Sequence, residues 1–431
     1  MNKRLISIFS VVLSFALIAG CTVSVANDTN STTVQQNSMQ SDNMSVATST
    51  TDSSASTTVP ISCPNNTTTT AGSTVTNKPA TTKTVTTTKP APSVSHLTPL
   101  STASYYGLSQ LGKLPNGNNM KTVYAQLVTA VEQSQPTTQV EVPVTKDELL
   151  KVFYYYRADY PQHFWCGNSI RYTTIDNKVA DFTLTYTMSG DALRTAKTKF
   201  DKAVTALLQK ASSGRNEYER ELIIHDELAK NTTYQMTNHA YTAYGALVEK
   251  KAVCEGYSRA FQYVLYQAGI PCLFVVGTSV NPSTGKPESH GWNIAKIDGH
   301  YYHVDTTWDD TDNAEVPVMY PYFNVTTAQI SEDHTINQKD NYPLPNCTAT
   351  AANYHVKNGT RLSAYSVQTV ADVLKRSQNG AHFYAVNGSS HFTAWVAENH
   401  RAIATAMGIV SGSRRSTFTL GKEVVLRIVP Q

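Results

Sequence analysis

From Thr22 to Leu100 the chain holds no Phe, Tyr or Trp, and Ser and Thr fill 35 of the 79 positions. Asp28, Asp42 and Asp52 are the only acids there. Such a stretch cannot bury enough apolar surface to offset the entropy of ordering it. Any core must come from the residues beyond, where aromatics return at Tyr105 and Tyr106. Thr81 to Pro92, with its repeated Thr and Lys-Pro, reads as an extended stalk.

Ahead of the stalk, Lys3 and Arg4 precede an apolar run from Leu5 to Leu17, and Ile18-Ala19-Gly20-Cys21 follows. The run is short for a transmembrane helix. Small residues just before a cysteine read as a secretory leader ending in a bacterial lipobox. Cys21 is then the expected lipid attachment point, and the expected location is the outer face of the bacterial cytoplasmic membrane. Without Lys3 and Arg4 the 35 basic residues become 33 against 32 acidic ones. Near neutrality and without a basic run, nucleic acid is not an expected partner. Six cysteines are too few for a disulfide scaffold. Cys63, Cys166, Cys272 and Cys347 permit three pairings if all are bonded.

Helical spacing runs over 116–133. Thr145-Lys146-Asp147-Glu148 is a capping box opening a helix that Tyr160-Pro161 ends. Ala180 to Met188 alternates as a half-buried strand does, and 191–210 and 217–230 are amphipathic helices. Ala252 to Ala268 forms an apolar helix stopped by Gly269-Ile270-Pro271, and Cys272 to Val276 is a short buried strand. Asp298-Gly299 then joins two alternating runs, His290 to Ile297 and His300 to Trp308, the pattern of a two-residue hairpin. A mixed unit follows from Tyr354, closing with a strand over 423–429. The expected organisation is a leader (1–20), a stalk (21–100), a mainly helical accessory region (101–200), a catalytic core (201–347) and a small C-terminal α/β unit (348–431).

Cys254 falls just inside a predicted helix start, where the dipole and open N–H groups favour a thiolate. A free cysteine is more often merely buried, but the hairpin changes the odds. If Ile297 pairs with His300, paired residue numbers sum to 597. His290 then lies opposite Thr307, and Asp305 shares its face two residues away. Asp305 could orient His290 and stabilise its imidazolium, and His290 could take the proton of Cys254. A bulge would break this parity.

Val253-Cys254-Glu255-Gly256-Tyr257, His290-Gly291-Trp292-Asn293 and Asp298-Gly299-His300-Tyr301-Tyr302-His303-Val304-Asp305-Thr306-Thr307-Trp308 resemble the transglutaminase-like superfamily, most of all its exported bacterial branch. Ile224-His225-Asp226-Glu227-Leu228, Tyr234 and Tyr322-Phe323-Asn324-Val325 fit the same branch. The resemblance spans about 160–347. It implies an α+β, papain-like core with a helix opening at the cysteine and packed on an antiparallel sheet. By the same resemblance Cys254 is the nucleophile, His290 the base and Asp305 the orienting acid. Gly291 departs from the Ala of many relatives, with little expected consequence. The backbone N–H of Cys254 is a natural oxyanion donor, and Tyr234 is the candidate second donor, against an equal prior for a core tyrosine. Trp292 and Trp308 are expected to be packing residues, and Glu255 and Tyr257 to shape access to the nucleophile.

Competing chemistries fare worse. His225, His239, His290, His300 and His303 cluster in sequence without HExxH or paired CxxC spacing. His303 is a rival partner for Asp305, and His225 reads as a structural histidine. Gly256-Tyr257-Ser258-Arg259-Ala260 lacks the second glycine of a nucleophile elbow. Arg414-Arg415 reads as a solvated turn. The expected function is thiol-dependent acyl transfer on amide bonds, as cysteine peptidase or cross-linking enzyme, without metal or cofactor. The expected partner is extracellular protein or cell-wall peptide. A surface binding module with an inactive site is the alternative.

Overall fold

A computed structural model describes residues 97–431 apart from 282–284, 339–340 and 378–379. The leader, Cys21, Cys63 and the stalk up to residue 96 lie outside the described residues. Within the expected stalk, Leu100 already meets the body, its N–H donating to the Tyr266 carbonyl at 2.8 Å.

A 3-10 turn at Thr102–Ser104 leads into α1 (Tyr106–Leu111), α2 (Gly117–Glu132), β1 (Thr137–Gln139) and α3 (Lys146–Asp159). The capping box forms as the sequence predicts: Thr145 N–H donates to Glu148 Oε2 at 2.7 Å, and Glu148 N–H to Thr145 Oγ1 at 3.3 Å. Asp159, buried at the end of α3, accepts from Gly107 N–H, Leu108 N–H and the Tyr124 hydroxyl, which ties the three helices together. Burial pushes this carboxyl up to about 6, against the pull of those donors.

The accessory stretch is less purely helical than its sequence suggests. β2 (Cys166–Ile175) and β3 (Lys178–Tyr186) make a hairpin, and the sheet order is β1-β3-β2. Its turn is Asp176-Asn177, both at positive φ (49° and 60°). Asp and Asn tolerate that conformation, so the turn forms without the glycine that marks most such hairpins. α4 (Gly190–Ala211) and α5 (Glu217–Asn231) follow as predicted, then a short parallel pair, β4 (Thr233–Tyr234) and β5 (Lys251–Ala252).

Next come α6 (Cys254–Gln267), β6 (Cys272–Val280), β7 (Pro287–Ile297), β8 (His300–Val304), α7 (Thr306–Asp309), α8 (Thr327–Ile330) and β9 (His334–Ile336). The antiparallel sheet runs β8-β7-β6-β9. Ile297 pairs with His300 and Asn293 with Val304, the predicted register, and Asp298 and Gly299 both take positive φ (49° and 84°). The second strand is shorter than predicted. It stops at Val304 because Asp305 caps α7, its Oδ1 accepting from Thr307 N–H at 3.0 Å and Trp308 N–H at 3.2 Å. The expected pairing of His290 with Thr307 is therefore not made. Tyr105, Tyr124, Phe153, Phe182, Leu228, Phe261, Trp292 and Phe323 belong to one continuous core.

The remainder comprises α9 (Tyr354–Lys357), β10 (Arg361–Leu362), α10 (Val367–Lys375), β11 (Ala381–Ala385), α11 (Ser389–Ala406), β12 (Ser413–Leu420) and β13 (Glu423–Pro430), with sheet order β10-β11-β13-β12. Phe383, Phe392, Val396, Val424 and Leu426 form a second core under α10 and α11. Val425 joins Val316 and Met319 in a small apolar contact with the first body. Arg414 and Arg415 lie in strand β12 rather than in a turn.

Candidate active site

The parallel β4–β5 pair delivers the chain into α6 two residues before Cys254, which is the first helical residue. Val253 stays extended as the cap, its N–H donating to the Ala240 carbonyl at 3.0 Å. A Cβ at Gly256 would collide with that same carbonyl oxygen, so the glycine lets the helix start sit close to the preceding loop. Ser258 Oγ lies 2.8 Å from the Cys254 carbonyl and 2.9 Å from that of Gly291. Asn293 Nδ2 donates to the Ser258 and Leu273 carbonyls, both at 3.1 Å. These bonds fix the opening turn of α6 against β7 and against the residue next to His290.

His290 is 6% exposed, and its Nε2 lies 2.6 Å from Asp305 Oδ2. With Nε2 committed to the carboxylate, Nδ1 remains for another partner. Burial works against charge on this ring. The Asp305 charge and hydrogen bond outweigh it, with help from the Cys254 side chain, and hold His290 up at about 10. Asp305 is fully buried, and burial alone would raise its carboxyl. The charges and hydrogen bonds of His290 and His334 hold it well below the usual range instead. Cap geometry therefore does what a longer strand was expected to do. One oxygen of Asp305 is fixed by α7 and the other is aimed at His290.

His303, the rival partner, turns elsewhere. Its Nδ1 accepts from Trp292 Nε1–H at 3.0 Å, and its Nε2 lies 3.1 Å from Thr327 Oγ1. Burial, with the nearby His334 charge, pushes it down to about 3. His225 lies behind the site, with Nε2 3.1 Å from Asp309 Oδ2 and Nδ1 3.3 Å from Asp226 Oδ1. Burial opposes its charge, but Asp226 and Asp309 hold it up at about 9. It ties α5 to α7, the structural role the sequence suggested. His239 pairs with Glu249 at 2.6 Å, and His300 is exposed at the hairpin turn. The five histidines do not converge.

Tyr234 is carried by β4 in register with Ala252, two residues before Cys254. Burial and then the nearby Cys254 charge raise its phenol far above the ordinary value. A phenol that resists ionisation stays a hydrogen-bond donor. Glu255 and Tyr257, expected to shape access, also anchor α6. Glu255 Oε1 accepts from Arg259 Nε at 2.7 Å and lies 3.4 Å from Arg157, and Tyr257 Oη lies 2.7 Å from both the Thr232 carbonyl and Asp310 Oδ2. A shallow pocket lined by Glu255 is walled by Tyr154, Tyr155, Phe274 and Tyr342. Trp292 is fully buried, while the half-buried Trp308 flanks His290 at 5.7 Å between centroids.

His334 carries no motif or spacing that singles it out in the sequence. It opens β9, with Nε2 3.1 Å from Asp305 Oδ2 and Nδ1 2.6 Å from Asp333 Oδ1. It sits in an irregular stretch 29 residues from Asp305, and no spacing rule joins the two. His290, Asp305 and His334 offer ligand atoms within 4.8 Å of one another, close enough to raise the question of a metal. Donors around a tetrahedral zinc, each ~2.1 Å from the ion, stand about 3.4 Å apart. The 2.6 Å between His290 and Asp305 is a hydrogen-bond spacing, and both histidine Nε2 atoms face one carboxylate oxygen. The cluster is packed as a proton network. Among the described residues Cys166, Cys254, Cys272 and Cys347 are all free thiols, so no pairing occurs among them. Burial pushes Cys272 well up, Cys347 to about 12 and Cys166 to about 11, as for inert thiols.

Residues 205–306 match the sequence profile of the transglutaminase-like superfamily, a span that takes in Cys254, His290 and Asp305. The chain carries a transglutaminase-like core. It is 29% identical over 164 residues to the kyphoscoliosis peptidase of Homo sapiens, which covers 34% of this chain and 24% of that protein. It thus spans about a quarter of the length of the curated relative it matches. A TGase crystal structure aligns over 41% of this chain and 51% of its own, at 14% identity and TM-score 0.24. The periplasmic domain of TgpA from Pseudomonas aeruginosa aligns over 31% and 58%, at 13% identity and TM-score 0.21.

Proposed function

We propose that this protein is a cysteine acyltransferase or peptidase acting on amide bonds, with Cys254 as nucleophile, His290 as base and then acid, and Asp305 as the orienting carboxylate. The observation that carries the reading is the 2.6 Å bond between Asp305 Oδ2 and His290 Nε2, on a ring whose charge the Cys254 side chain also favours. Transfer of the thiol proton to His290 Nδ1 gives a thiolate at the start of α6. The sulfur attacks the substrate carbonyl. His290 then returns the proton to the leaving amine, and a thioester remains. Water or a second amine takes the acyl group in the reverse sense, with His290 again as base. Backbone N–H groups at the α6 start and the Tyr234 hydroxyl are suited to the oxyanion.

The leader, Cys21 and the stalk support a lipid-anchored surface location, and the substrate is then extracellular protein or cell-wall peptide. Among the described residues no helix is long and apolar enough to cross a membrane. The test is digestion of an extracellular protein and peptidoglycan-peptide library by the full chain, with and without a primary amine, read by mass spectrometry. New carboxyl termini mark a peptidase and amine adducts a transferase, and Cys254→Ala should yield neither. Binding of a library member with no product from the unaltered protein would favour the surface binding module instead.

A further inference from the structure

Both ring nitrogens of His334 face carboxylates: Nδ1 lies 2.6 Å from Asp333 Oδ1 and Nε2 3.1 Å from Asp305 Oδ2. A carboxylate only accepts, and a neutral imidazole carries one N–H. The neutral ring would turn a lone pair against one of these oxygens, whereas the imidazolium satisfies both. Asp333 is itself anchored, accepting from the Tyr322 hydroxyl at 2.6 Å. β6 holds the whole group through the Ser279–His334 pairing and a 2.9 Å bond from Val280 N–H to the Asp333 carbonyl. Trp292, Trp308 and Tyr322 surround the ring with centroids 4.8 to 5.4 Å away and hold it in place.

Asp305 is thereby surrounded on both oxygens. Oδ1 takes the two N–H groups of α7, and Oδ2 is shared between His290 at 2.6 Å and His334 at 3.1 Å. We infer that His334 is a positioning residue: it pins the Asp305 carboxylate and, as a second imidazolium on it, offsets part of the charge that Asp305 presents to His290. This rests on the function proposed above and adds to it. An Asp–His pair left alone in a dry site holds its proton tightly, and an acid that must return the proton to a leaving amine works best when it is not held too strongly. The charged or titratable groups facing His334 are Asp305 after β8, Asp333 before β9, His290 on β7 and His303 on β8, with Tyr322 acting through Asp333. The two acids favour its charge and the His290 charge opposes it.

The experiment has two readouts on the full-length protein. Histidine-selective ¹⁵N labelling reports ring protonation by NMR. His334→Gln assigns the signal by removing it, and Asp333→Asn, at a side chain about 31% exposed, assigns it by shifting it if the first variant does not fold. His334 should have both nitrogens protonated at pH 7. The second readout is the pH titration of the His290 ring in the same spectra, taken beside the rate of Cys254 alkylation at pH 7. The alkaline limb of that titration, where His290 loses its proton, should move up by about one pH unit in His334→Gln, as expected on removing a cation at this range. A neutral His334 ring at pH 7 beside a reactive Cys254 overturns this inference alone. An unmoved limb in a folded but less stable His334→Gln also overturns it, since that is the mark of a purely structural histidine. A Cys254 that is unreactive in the unaltered protein overturns the function itself, and the proton-release role with it.

Discussion

The chain buries two carboxylates in the same kind of setting and uses them differently. Asp305 lies between His290 and His334 with two backbone N–H groups on its other oxygen. Glu423, at the start of β13, lies between His355 Nε2 at 2.9 Å and His382 Nδ1 at 2.7 Å, and accepts from the Tyr320 N–H at 2.8 Å. Burial works against both charges, and in both cases the histidines win: Asp305 is held well below the usual range and Glu423 down at about 2. The difference lies in what the rings have left over. His355 commits its Nδ1 to Thr360 Oγ1 at 3.0 Å, and the half-buried His382 packs on Tyr320 and Tyr354, so that cluster fastens β13 to the strap of chain that carries Tyr320. His290 has its Nε2 on Asp305, and the Cys254 side chain at the start of α6 favours charge on its ring. On the function proposed above, a histidine–carboxylate pair is a fastening by default and becomes machinery only beside a nucleophile.

The largest expected effect comes from Cys254→Ala, which should remove all turnover while leaving Tm within about 2 °C, since a small side chain is lost at a helix terminus. A collapse of folding would make Cys254 a packing residue and erase the contrast. Asp305→Asn should come next, with turnover down by about 10³ to 10⁴, because the amide allows the wrong His290 tautomer. The matching change, Glu423→Gln, should leave turnover within about threefold and lower stability by ~1–3 kcal/mol in a urea titration. Equal losses of turnover would mean that the Glu423 cluster reaches the site.

The two clusters also separate by pH. His290 is raised to about 10, so its contribution to stability is complete below the ordinary histidine value near 6.5 and is lost as pH rises through 10. Glu423 is depressed to about 2, so its contribution is present above the ordinary carboxylate range and is lost as pH falls through 2. Thermal melts across pH should therefore flatten on the alkaline side in His290→Gln and on the acid side in Glu423→Gln. A third buried carboxylate, Glu221, is held by an amide instead, Asn324 Nδ2 at 2.6 Å, and burial raises it to about 8. Between pH 4.5 and 8 it is ionised in the unfolded chain and must take up a proton on folding, so it weakens the fold progressively across that window. Glu221→Gln should give the smallest change, a gain of about 1–2 kcal/mol at pH 8 that vanishes near pH 4.

What could be read from sequence follows the range of the interactions. The capping box, the α6 start and the hairpin register are local. Thr145 with Glu148, and Asp298-Gly299 with its flanking strands, encode them within a few residues. The juxtaposition of His290 and Asp305 was legible because one hairpin holds both. Its detail was not, because a cap at Asp305 competes with strand extension and wins through two backbone N–H groups. The β2–β3 hairpin escaped because Asp176-Asn177 lacks a glycine and β2 alternates polar residues on a half-exposed sheet. His334 escaped for a different reason. It reaches Asp305 only through the pairing of β9 with β6, a long-range contact that local pattern does not encode.

The most direct test of the account is the rate of Cys254 alkylation by iodoacetamide from pH 4 to 9, read by mass spectrometry with Cys166, Cys272 and Cys347 as internal references and His290→Ala as control. The account predicts fast labelling of Cys254 at and below neutral pH, slow labelling of the other three, and loss or upward displacement of the Cys254 profile in His290→Ala. Labelling of Cys254 only above pH 8, unchanged by the loss of His290, would contradict it.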